Sequence, residues 1–177
     1  MAEITYQALV DKLQAQSKKF DEWRPALINE AYVIRSDIVS ILGCPEEWVT
    51  HDKAERRKYV DVINLSNSNG GFAGILSYNS ITDQGELVFG ISFTLDLGPK
   101  IHPKWISYIP VAVRYKDYIP EYCQWDTHSE APRTGSSWQR SKKLFIEEIL
   151  NALNRYLSMD PFQGIPVKST IGFINAG

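Results

Sequence analysis

The chain has 177 residues, the size of one domain, and no linker divides residues 1–177. Hydrophobic residues make up 44% and charged residues 23%, which excludes a disordered chain, a collagen and a coiled coil. The formal net charge is −2, so the basic excess of a dominant nucleic-acid binder is missing.

In chain order, residues 3–20 predict an amphipathic helix. Tyr6, Leu9, Val10, Leu13 and Phe20 recur near helical spacing, with Lys12, Lys18 and Lys19 elsewhere on the surface. Pro25 suits a first helical position, and from it Leu27, Ala31, Ile34, Ile38, Ile41 and Leu42 predict a second helix, stopped by Gly43 and Pro45. Residues 46–58 are charged and mixed, fitting a loop or a short turn of helix. The period then changes. Residues 59–65 alternate as a strand, Asn67-Ser68-Asn69-Gly70-Gly71 is a turn signal, and residues 72–78 form a second strand. Asp83-Gln84-Gly85 marks another turn. Residues 87–97 are the clearest strand, with Leu87, Phe89, Ile91, Phe93, Leu95 and Leu97 on one face. Residues 105–115 predict a fourth strand, and Pro110 within it argues for an edge or a bulge. Residues 116–137 read as a long irregular loop. A helix over 138–158 and a short tail strand within 165–174 complete the chain. The expectation is one α+β domain: two N-terminal helices, an antiparallel four-stranded meander, a long loop, a C-terminal helix and a tail strand, with the helices on one sheet face.

Two cysteines, Cys44 and Cys123, suit a reducing compartment better than a disulfide-stapled secreted domain. The first residues lack the features of a signal peptide, and no apolar run approaches the ~20 residues of a membrane span. The expected setting is cytoplasmic and soluble, with no membrane partner. Glycine-rich phosphate loops and a serine nucleophile elbow are absent. A nuclease-like α/β reading lacks the acidic-x-Lys triplet that holds its metal, since the third strand offers only Glu86.

Chemistry-bearing residues concentrate between about 120 and 145. Cys123, Asp126, His128 and Glu130 lie within eight residues. As metal ligands Asp126, His128 and Glu130 lack the second cluster of a structural zinc site, so neither a metal nor a cofactor is expected. Cys123 is a candidate nucleophile, with Asp126 and His128 as polar groups able to assist deprotonation of an incoming amine. Net charge falls to −4 over residues 61–130 and rises to +3 over 131–177. Arg133, Arg140, Lys142 and Lys143 supply much of that rise. Cations near a helix start oppose its dipole, so this segment is a candidate site for an anion or an acidic protein partner. Ser136 and Ser137 are candidate caps.

The landmarks from Phe72 to Phe162 resemble the ubiquitin-conjugating enzyme fold. Phe72-Ala73-Gly74-Ile75-Leu76 is similar to an early strand of that family's meander. Gln84-Gly85-Glu86-Leu87-Val88-Phe89-Gly90-Ile91-Ser92-Phe93 is similar to the next. Pro99 and Pro103 fall at its proline-rich turn, Trp138 leads into its long helix, and Asp160-Pro161-Phe162 follows that helix. The family's His-Pro-Asn triplet is absent; His102-Pro103-Lys104 stands earlier and lacks the Asn. The resemblance implies a thioester transferase with Cys123 as nucleophile and an acidic carrier attracted by Arg140, Lys142 and Lys143. The other reading of the same residues is a non-enzymatic binding module using exposed aromatics and the basic segment at 133–143.

Overall fold

The structure, a computed structural model, describes residues 5–50, 55–65, 76–95, 104–158 and 172–174. Helix α1 runs without a break over Tyr6–Leu42, 37 residues or about 55 Å. Thr5 caps its start by accepting the Ala8 N–H, and Gly43 ends it at φ 59, its N–H donating to the Val39 carbonyl. The two expected N-terminal helices are therefore one. Pro25 removes only the N–H that would reach the Asp21 carbonyl. Both residues are exposed, so that carbonyl is open to water and the helix continues.

Strands β1 (Glu47–Val49) and β2 (Arg56–Lys58) pair antiparallel where a loop or helical turn was expected. The main sheet has the order β3 (Val60–Ile63), β4 (Leu87–Leu95), β5 (Trp105–Lys116), β6 (Ile119–Asp126) and β7 (Ala131–Pro132), and β8 (Gly172–Ile174) pairs β5. All these pairings are antiparallel. The expected strand at 72–78 lies largely outside the described residues, and Tyr78–Ser80 is a 3-10 turn. The turn at 67–71 also lies outside them. Helix α2 spans Lys142–Leu157, beginning later than 138, with Ser141 rather than Ser136 or Ser137 as its cap.

Pro110 sits on a central strand, not an edge. On one side β5 pairs β4 along its length. On the other it pairs β8 through Ile106–Tyr108 and β6 from Val111 onward. Pro110 falls in the gap between those two registers, where a missing donor is tolerated. Opposite it stands Gly90, where a Cβ would come within 2.6 Å of the Ile63 side chain.

The long loop expected at 116–137 is half strand. Asp117 and Tyr118, at φ 53 and 62, turn β5 directly into β6. Two consecutive left-handed residues match the right-handed twist of a hairpin. Neither residue is the Gly or Asn that usually marks such a turn.

The core lies on one sheet face. Leu27, Ala31, Ile34 and Ile38 of α1 and Phe145, Ile146 and Ile149 of α2 pack on Leu87, Phe89, Ile91, Phe93, Ile109, Val111, Val113 and Tyr122. Burying each large side chain is worth about 1.5–3 kcal/mol. The other face holds a smaller cluster, Ala112, Cys123 and Trp125, with Val88 and Trp138 against it.

Candidate functional site

Strand β6 carries Cys123 into the interior. Its register places it beside Ala112 of β5, and it is 0% exposed. Burial, then the Glu86 carboxylate, pushes its thiol up to about 12. A buried, protonated thiol does not supply the accessible thiolate that thioester transfer requires. The expectation of a loop cysteine is thus corrected: Cys123 is a strand residue.

Asp126 and His128 do not gather around that sulfur. Asp126 ends β6 and His128 lies in the turn that follows, where the Asp126 carboxylate accepts the His128 N–H at 2.9 Å. That bond, with those from Ser129, holds the carboxyl below its usual range. This is a local turn motif of the kind Asp forms at strand ends. Among the described residues no group of His, Cys, Asp and Glu is arranged to hold a metal ion.

Three of the four basic candidates are engaged within the fold. Arg133 donates to Gln124 at 2.8 Å, and Gln124 donates in turn to Glu148 of α2. Arg140 reaches Glu121 at 3.1 Å and Asp117 at 3.7 Å. Lys142 lies 3.2 Å from Asp37 and 3.6 Å from Glu30, both on α1. Lys143 alone stays outside this framework, exposed and 4.0 Å from Glu147. The basic segment is therefore a clamp that ties the start of α2 to β6 and α1, because the carboxylates facing it are its own.

Two buried polar ties complete this clamp. Glu121, 5% exposed, accepts from Arg114 at 2.9 Å and from Arg140. Burial alone would raise its carboxyl, but those two guanidinium groups hold it below the ordinary value. The Arg114 guanidinium lies 4.0 Å from the ring centre of Trp138. The Tyr122 hydroxyl donates to Glu30 at 2.7 Å, while its ring stacks on Phe145 at 5.3 Å.

The surface that remains open is on α1. Every residue from Thr5 to Glu22 except Val10 is exposed, so this half of the helix projects as an arm. Tyr6 is 81% exposed, Leu13 65% and Leu9 52%. At the root of the arm lies a cleft of about 970 Å³, the space between α1 and the β5–β6 hairpin. Phe20, Trp23, Tyr115 and Tyr118 give it aromatic walls, and Lys19, Glu22 and Asp117 give it charge. Trp23 meets Phe20 edge-on at 5.7 Å. Gly85, at φ 82, lets the Trp23 ring approach: a Cβ there would lie 3.2 Å from it. Arg24 lies over both Phe20 and Tyr78. Burial, then Glu30, raises the Tyr115 phenol, so it remains a neutral donor. Tyr118, in its left-handed conformation, is 94% exposed. That conformation is the one the two-residue β5–β6 turn requires.

The apolar residues of the arm are legible in the sequence, and the cleft is not. The available signal was spacing: Tyr6, Leu9, Leu13, Phe20, Trp23, Leu27, Ala31, Ile34 and Ile38 form one stripe that crosses Pro25. No family model, curated protein or solved structure matches the chain. No described helix is long and apolar enough to cross a membrane.

Proposed function

We propose that this chain is a non-enzymatic protein-binding module that docks its partner on the arm of α1 and in the aromatic cleft at its root. One observation carries the reading. A single apolar stripe is buried against the sheet from Leu27 onward and stands in solvent from Tyr6 to Phe20. Exposed apolar surface of this kind marks interaction sites, and aromatic side chains such as Phe20 and Trp23 at its root are of the type that dominates binding energy. The burial of Cys123 removes the main support for catalysis, and the internal pairing of Arg133, Arg140 and Lys142 moves the binding surface away from the basic segment.

The test is a selection of helical peptides from a displayed library on the full chain. Selected peptides should lose binding to Leu13→Asp and Phe20→Asp, while both variants keep the parent's unfolding midpoint. A library in which no selected peptide responds to either substitution removes the reading.

A further inference from the structure

We infer that the partner seated on the arm is an amphipathic helix whose apolar stripe is flanked by acidic side chains. This rests on the docking reading above and names its partner class. Charge along one row of α1 selects that class. With 3.6 residues per turn, Lys12, Lys19, Glu30 and Asp37 lie along the same flank of the apolar stripe. In the packed half of α1 this flank is acidic, and it meets the cation at the start of α2: Lys142 lies 3.6 Å from Glu30 and 3.2 Å from Asp37. Thus the fold already contains one helix docked beside this row, matched by opposite charge.

In the arm the same row is basic. Lys12 and Lys19 are exposed, and among the described residues neither has a carboxylate in ion-pair range. Lys19 also lines the cleft. A helix lying along this flank over Leu9, Leu13 and Phe20 would present acids to Lys12 and Lys19 and end against Tyr118. The stripe from Tyr6 to Trp23 gives it about 25 Å, or five turns.

Charge also ranks the other occupants. A second copy of the arm would bring the Lys12 and Lys19 row against itself in an antiparallel pair, and in a parallel pair would set it against Ser17 and Arg24. Neither supplies an acid. An anionic lipid surface favours cations on both flanks of an apolar face. Here the opposite flank holds Val10 and Ser17 along the arm, Arg24 at its root is turned onto Phe20 and Tyr78, and Lys18 lies on the far side of the helix. The one-sided basic row suits a helix laid alongside.

The experiment uses the full chain and two synthetic peptides of three heptads. Both have a leucine stripe; one carries Glu at the flanking positions and the other Lys. Fluorescence anisotropy at low salt should show the Glu peptide binding about tenfold tighter, with the contrast shrinking at high salt. The double variant Lys12→Glu, Lys19→Glu should reverse the preference. Equal binding of both peptides, abolished by Leu13→Asp, overturns the acidic partner and leaves the docking surface standing. Binding of neither peptide overturns this inference, and only failure of the library selection as well removes the docking surface. Concentration-dependent dimers lost in Leu13→Asp, or tighter capture by phosphatidylserine vesicles than by the Glu peptide, would assign the arm to a second copy or to a membrane and overturn the acidic helix.

Discussion

The two halves of α1 carry one apolar stripe and meet opposite surroundings. Leu27, Ala31, Ile34 and Ile38 are 0% exposed against the sheet and α2. Tyr6, Leu9 and Leu13 are each more than half exposed. The flanking charge changes with them, from paired acids to basic side chains open to solvent. The contrast teaches that amphipathic spacing specifies a helix needing a partner, and does not specify which partner. In the body half the chain supplies its own. In the arm half the same physics stays open.

The largest way to test this contrast is amide hydrogen exchange. An isolated helical segment of this length is marginal in water, so amides from Leu9 to Phe20 should exchange by local fraying. Those from Leu27 to Ile38 should exchange only with global opening, about a thousandfold more slowly. Comparable protection in both halves would break the comparison. Next come paired truncations. Leu27→Ala should cost about 3 kcal/mol in urea unfolding, while Leu13→Ala should stay within about 0.5 kcal/mol of the parent.

A smaller effect tests what fixes the body half. Tyr122→Phe removes the hydroxyl that binds Glu30 and should cost about 2 kcal/mol, read from the denaturant midpoint at constant slope. An unchanged midpoint would mean that the apolar stripe alone holds α1 to β6. The smallest effect lies in pH. The Glu121 carboxyl titrates below its ordinary value of 4.5 in the fold. Its contribution is therefore complete above that value and is lost as pH falls through the lower, folded value. Glu121→Gln should flatten the acid limb of a stability–pH curve below about 4.5; an unaltered limb would remove the Arg114–Glu121–Arg140 tie from the stability of the body.

Much of the architecture was legible in the residues themselves. The alternation from Leu87 to Leu95 is strand β4, because period-2 spacing is a local property of the backbone. Residues 105–115 likewise lie within β5, and the apolar residues of 142–157 lie on α2. Three features were not legible. Pro25 reads as a helix start, and only its exposed place on the helix shows that the lost bond is tolerable. Strand β6 was hidden because Asp117-Tyr118 makes its turn without Gly or Asn. The clamp role of Arg140 and Lys142 was hidden because Glu121, Glu30 and Asp37 are distant in sequence.

By itself, then, the sequence determined the elements whose cause is local: a mixed α+β domain with apolar stripes at helical and strand period. Tertiary structure decided the partners. It placed Cys123 inside the sheet, matched the basic segment to its own carboxylates, and left the stripe of α1 covered along one half only. The physical reason is that burial and charge pairing are relations between distant residues, and a spacing pattern fixes only one side of each relation.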